Sequence, residues 1–88
     1  MIEKEVIVKN TLGIHARPAT QFVKIASKYN CDVYVIKDGV EVNGKSIMSL
    51  LILTATKGSK LTIRCSGEDE EKALKELVDL VEEGFGED

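Results

Sequence analysis

Eighty-eight residues, 43% apolar and 31% charged, suffice for one folded domain with a modest core and exclude both a disordered tail and a two-lobed enzyme. A net charge of −3 with a pI of about 5.2 excludes the basic footprint of a protein that grips nucleic acid or an anionic membrane. Residues 1–88 are therefore read as a single domain with no nucleic-acid partner.

The β-branched run Val6-Ile7-Val8 predicts a first strand over Glu5–Lys9. Asn10-Thr11-Leu12-Gly13 reads as a turn, after which Ala19, Phe22, Val23 and Ala26 fall at helical spacing. That helix should run from about Ala16 to Lys28. Asp32–Lys37 alternates, with Val33 and Val35 on one face and Tyr34 and Ile36 on the other. Asp38-Gly39 is a strong hairpin signal, and Val40-Glu41-Val42 is the returning strand. Asn43-Gly44 makes a second turn, and Ser46 then looks like the N-cap of a short helix through Leu53. Gly58 breaks the chain before Lys60–Ser66, where Leu61, Ile63 and Cys65 share a face. Glu68–Glu71 crowd carboxylates onto the next helix start, and Ala73, Leu74, Leu77, Val78 and Val81 form its apolar stripe. Gly84 is the expected stop.

The resulting order, β-α-β-β-α-β-α, predicts an α+β two-layer open-faced sandwich. It has a four-stranded antiparallel sheet with three helices on one face. The longest apolar stretch, Ile47–Ala55, is interrupted by Ser49 and Thr54 and is too short to span a bilayer, so no direct membrane insertion is expected. The start Met1-Ile2-Glu3-Lys4-Glu5 has neither the basic nor the apolar region of a secretory signal. Cys31 and Cys65 belong to no CxxC pair, and sequence alone leaves open whether they ever join. Two unpatterned thiols suit a reducing compartment, and a cytoplasmic location is expected.

The chemistry concentrates at Gly13-Ile14-His15-Ala16-Arg17-Pro18-Ala19, where the turn becomes the first helix and the chain's only histidine stands. A helix start offers unpartnered N–H groups and partial positive charge, so it suits an anion. Phosphoryl transfer to nitrogen needs a neutral, exposed imidazole with positive groups around the phosphate oxygens. His15 can supply the acceptor and Arg17 a planar fork of donors. Pro18 sits in the first turn, where its missing N–H does no harm. On spacing alone, a polar capping residue beside a solvated charge is the better-supported reading.

Gly13-Ile14-His15-Ala16-Arg17-Pro18-Ala19-Thr20 resembles, position for position, the active-site signature of HPr, the histidine-containing phosphocarrier family of the bacterial phosphoenolpyruvate–sugar phosphotransferase system. The resemblance extends to length, element order and a second motif, Asn43-Gly44-Lys45-Ser46-Ile47-Met48. It implies that His15 accepts a phosphoryl group on Nδ1 from phospho-enzyme I and passes it to enzyme IIA domains, with Arg17 as phosphate partner. It implies a stoichiometric carrier acting as a monomer, not a turnover enzyme, with no cofactor or metal of its own. A nitrogen-branch regulatory phosphocarrier is the alternative within the family. A small α+β acyl-phosphate hydrolase is the alternative outside it, although no matching loop motif is evident. The catabolite-repression paralogue that lacks the histidine is disfavoured by His15.

Ser46 reads from sequence as a helix cap. Its motif resembles the form modified by an ATP-dependent HPr kinase/phosphorylase. By that resemblance Ser46 is a regulatory phosphorylation site whose modification could recruit a transcriptional regulator and repel acidic partners. Ile47, Met48, Leu50, Leu51, Ile52 and Leu53 are more apolar surface than a short edge helix can bury. Leu50 and Leu53 are expected in the core. Ile47, Met48 and Leu51 are assigned to partner docking, with Thr20 and Lys24 of the first helix on the same face. The chain departs from the common family pattern at Ser49, at Ile52 and at Thr54, where many members have glycine near the histidine.

Overall fold

The computed structural model describes residues 1–87. Its elements are β1 (Ile2–Ile7), α1 (Ala16–Ala26), β2 (Cys31–Lys37), β3 (Val40–Asn43), α2 (Ile47–Ile52), β4 (Lys60–Gly67) and α3 (Glu70–Glu82), with a 3-10 turn at Gly84–Gly86. The strands form one antiparallel sheet in the order β1-β4-β2-β3. This is the expected two-layer sandwich. No helix among the described residues is long and apolar enough to cross a membrane.

Strand alternation decides which face is covered. Leu61, Ile63 and Cys65 of β4 are buried with Val33 and Val35 of β2, while Thr62, Arg64 and Ser66 stay partly open. Onto that face α1 lays Ala19, Phe22 and Ala26, and α3 lays Ala73, Leu77, Val78 and Val81. On the open face the guanidinium of Arg64 donates to Glu3 and to Glu41, 2.8 Å each, and so links β1, β4 and β3. Asp38 and Gly39 both have positive φ (50° and 81°), the backbone a two-residue type I′ hairpin requires, and Lys37 pairs with Val40 across it. Cys31 and Cys65 are free and buried, and burial, then the neighbouring Cys31, pushes the Cys65 thiol up to about 12.

The first strand and the first helix differ from expectation by more than one residue, and β2, β3, α2 and β4 by one residue at an end. The first strand occupies Ile2–Ile7, not Glu5–Lys9. Glu3, Lys4 and Glu5 carry little strand propensity, but pairing from Ile2↔Cys65 to Ile7↔Lys60 holds them in an edge strand whose charges face water. Val8 stays attached beyond it, donating to the Ser59 carbonyl at 2.9 Å and accepting from Gly58 at 2.8 Å. The first helix ends at Ala26, earlier than Lys28, with Ser27 as its cap.

The loop between β1 and α1 is held from behind by the segment after α2. Ile14 N–H donates to the Ala55 carbonyl at 2.9 Å. Gly13 has φ +68°, and a Cβ there would sit 2.3 Å from the same carbonyl oxygen, so only glycine lets the loop lie this close. Thr54, next to Ala55, has φ +47°, a left-handed backbone that a β-branched residue enters at a cost.

Thr54→Gly should therefore stabilise the fold. Leaving the left-handed region is worth about 1–2 kcal/mol and glycine's extra chain entropy returns about 0.5–1 of it, a net gain of up to about 1.5 kcal/mol. Gly13→Ala should lose at least about 1–3 kcal/mol through strain alone. Urea melts check both; a less stable Thr54→Gly would show that the threonine side chain outweighs its backbone strain.

Candidate functional site

His15 is the N-cap of α1. Its backbone is extended (φ −91°, ψ −169°), and its carbonyl accepts the first helical bond from Ala19 at 3.1 Å. Its side chain does not cap the helix. The N–H groups of Ala16 and Arg17 are thus the orphan donors of the first turn, and Pro18 adds none. An anion placed at the ring would meet these donors and the positive end of the helix dipole.

The ring turns instead toward residue 87. Nε2 of His15 lies 3.0 Å from Oε2 and 3.2 Å from Oε1 of Glu87. Glu87 gets there because Gly84, Phe85 and Gly86 have consecutive positive φ values of 67°, 59° and 73°, which reverse the chain after α3. Phe85, 2% exposed, anchors that reversal in the core. Asn10 completes the arrangement: its Nδ2 donates to Glu87 at 2.9 Å and to the Gly13 carbonyl at 2.7 Å. The His15 ring, and then the Asn10 amide and the Arg17 charge, hold the Glu87 carboxyl below its ordinary value against partial desolvation. Neither Asn10 nor Glu87 was assigned to the site from sequence. The only signal is Gly84-Phe85-Gly86, an aromatic between two glycines past a helix end, where the chain must turn and bury something.

Arg17 is exposed and makes no hydrogen bond or ion pair among the described residues. It shares a helix stripe with Thr20 and Lys24, three and seven positions on. Thr20 is half-buried and its hydroxyl donates back to the Ala16 carbonyl at 2.8 Å; Lys24 is exposed in the last turn. Ser46 caps α2, its Oγ accepting from Ser49 N–H at 3.2 Å. Leu50 and Leu53 are buried as expected. Of the three docking candidates, Ile47 is 38% and Met48 70% exposed, while Leu51 is half-buried against the core. Sequence reasoning passed over Ile52 and Leu12, which are 66% and 72% exposed. No cluster of three or more His, Cys, Asp and Glu able to hold a metal exists among the described residues.

Residues 2–83 match the family model described as PTS HPr component phosphorylation site. The chain is 40% identical over 87 residues to phosphocarrier protein HPr of Neisseria meningitidis, covering 99% of this chain and 98% of that one. It is 42% identical over 83 residues to HPr-like protein Crh of Bacillus subtilis, covering 94% and 98%. Among solved structures it is similar to HPr-C-His from Thermoanaerobacter tengcongensis, with a TM-score of 0.96 and 45% identity over 100% of this chain and 99% of that one. The HPr dimer from the same organism gives 0.79 at 46% identity, covering 99% and 100%.

The lowered Glu87 carboxyl makes the clamp pH-dependent in a defined direction. It contributes in full above the ordinary carboxylate value of 4.5 and is lost as pH falls through the lower native value. Glu87→Gln should be less stable than the native chain at pH 7, and the gap should shrink as pH falls through the lowered native value of Glu87. Denaturant melts along an acid pH series measure it; a gap that does not shrink on acidification would mean that the side chain contributes packing and not charge.

Proposed function

This chain belongs to the HPr family of phosphotransferase-system phosphocarrier proteins, and from that premise we propose that His15 is its phosphoryl acceptor and donor. The observation that carries the reading is the placement of His15, half-exposed at the N-cap of α1, with its side chain free of any capping duty. Nδ1 of the neutral ring attacks the phosphorus held by phospho-enzyme I. The new N–P bond forms as the donor's bond to phosphorus breaks, and the donor keeps that electron pair. The orphan N–H groups of Ala16 and Arg17 and the Arg17 guanidinium then neutralise the phosphoryl oxygens. An enzyme IIA domain reverses the step on its own acceptor, so the protein is a stoichiometric carrier and no turnover enzyme.

Ile47, Met48 and Leu51 form the docking face together with Thr20 and Lys24, and the exposure of Ile52 and Leu12 enlarges it. Met suits a surface that must fit several partners. Ser46 adds regulation to that face: phosphorylated by an HPr kinase/phosphorylase, it brings nearly two negative charges beside Ile47 and Met48 and opens a contact for a transcriptional regulator. Free buried thiols support a cytoplasmic setting.

Incubation with phosphoenolpyruvate and enzyme I should add one acid-labile phosphate, read by mass spectrometry, and His15→Ala should abolish it while leaving the fold intact. Persistent labelling of that variant would end the carrier assignment. Arg17→Lys keeps the charge but loses the planar fork; a lost charge-assisted contact of about 1.5–3 kcal/mol slows transfer roughly 10- to 150-fold.

Ser46→Asp retains a capping oxygen, so its melting point should hold while acceptance from enzyme I weakens at low salt. A native transfer rate in that variant would leave Ser46 as a cap alone.

A further inference from the structure

Asn10 is fully buried, and both hydrogens of its amide are spent on acceptors, the Gly13 carbonyl and the Glu87 carboxylate. The reverse orientation would press the amide oxygen against two other oxygens, so the amide's direction is fixed, and its own Oδ1 is left buried without a partner. That unpartnered oxygen is a cost the fold carries in order to hold Glu87 in place. Glu87 in turn has only 15% of its side chain exposed and presents both oxygens to His15 Nε2. An ionised carboxylate can only accept. Nε2 must therefore carry the ring hydrogen, and a neutral imidazole with its hydrogen there has its lone pair at Nδ1.

We propose that Glu87, oriented by Asn10, is the positioning residue of the phosphoryl-transfer site: it fixes the His15 ring with Nε2–H inward, aims the Nδ1 lone pair outward, and neutralises the ring once Nδ1 is phosphorylated. The inference rests on the carrier reading given above. Attack through Nδ1 leaves a ring bearing substituents on both nitrogens, hence a positive charge, and that charge faces the carboxylate across the Nε2–H bond. The phosphoryl group leaves from the opposite side of the ring, so Glu87 does not oppose its oxygens at close range. The interaction strengthens as the N–P bond forms, which is the condition for lowering a barrier and not merely holding a ground state. Glu87 touches neither phosphorus nor donor. Its effect passes wholly through the imidazole, in the way outer-shell partners set histidine orientation at metal sites.

The test uses the full chain in three forms, native, Glu87→Gln and Glu87→Asp, each first shown to be folded by circular dichroism. Nitrogen-15 spectra of the ring at about pH 9 read which nitrogen holds the hydrogen. The native ring should be wholly in the Nε2–H form. Glutamine can turn its NH2 toward the ring, so Glu87→Gln should show a mixture with hydrogen on Nδ1. In the same variant the maximal rate of phosphoryl acceptance from enzyme I should fall about ten-fold or more with the half-saturating enzyme I concentration unchanged. Glu87→Asp should recover part of both signals. A folded Glu87→Gln with a native ring spectrum overturns the proposal whatever its transfer rate, and so does an altered spectrum with native transfer. Failure of the native protein to take up acid-labile phosphate is a separate outcome, which removes the carrier reading and with it the role assigned to Glu87 in transfer.

Discussion

The pinning of Gly13 and Ile14 against Ala55 is the contact on which the site depends. A loop that must deliver His15 to the first position of a helix has little freedom: the backbone has to leave β1, turn, and enter α1 with an extended residue at the cap. The Ile14–Ala55 hydrogen bond and the absence of a Cβ at Gly13 fix the loop's height above the core. Asn10 fixes it from the other side through Gly13. Only then does the imidazole fall within reach of Glu87, seventy-two positions further along the chain. The sheet and helices bury the apolar surface, but it is this loop that turns a generic α+β sandwich into a site.

Much of the architecture was legible because periodicity of two or of 3.6 survives in so short a chain. Val33 and Val35, then Leu61, Ile63 and Cys65, gave the covered face of the sheet, and Phe22 with Ala19 and Ala26 gave the face of α1. The hairpin at Asp38-Gly39 was visible from two residues, since few others accept positive φ in succession. The first strand was misplaced because its charged residues belong to an edge, where pairing with β4 overrides propensity. His15 and Arg17 could be picked out by helix-start physics, although spacing alone could not separate an acceptor from a cap. Glu87 and Asn10 could not be picked out at all. Their meeting depends on a left-handed turn at Gly84–Gly86 and on a buried amide, and neither leaves a periodic trace.

The exposed apolar residues follow a related logic. Leu50 and Leu53 are covered because a six-residue helix has one side to give the core, and Leu51 is partly taken up by it as well. Ile47, Met48 and Ile52 are left exposed to differing degrees, Met48 and Ile52 most. A chain of 88 residues has too little interior to hide them, and leaving them out costs stability that a monomer without partners would have no reason to forgo. A serine at the cap of that helix places a modifiable hydroxyl at the border of the apolar face, where added charge changes the surface without touching the core.

The two charged groups nearest His15 are arranged oppositely. Glu87 is engaged in the resting structure, bound to the ring and to Asn10, whereas Arg17 is exposed and, among the described residues, makes no hydrogen bond or ion pair and acts on Glu87 only through its charge. A carrier has to accept a phosphoryl group and then surrender it, so neither side of the exchange can be held too firmly. A pre-engaged carboxylate costs nothing to organise when the ring becomes positive. An arginine that waits in water pays its ordering cost only when a phosphate arrives and recovers it when the phosphate departs. In the proposed mechanism, locking Arg17 onto a carboxylate at rest would remove the donor fork from the phosphate, and leaving Glu87 loose would free the ring to present the wrong nitrogen. Under the proposed carrier role, this asymmetry suits reversible transfer: the ring would be fixed before the reaction and the phosphate contacts made during it.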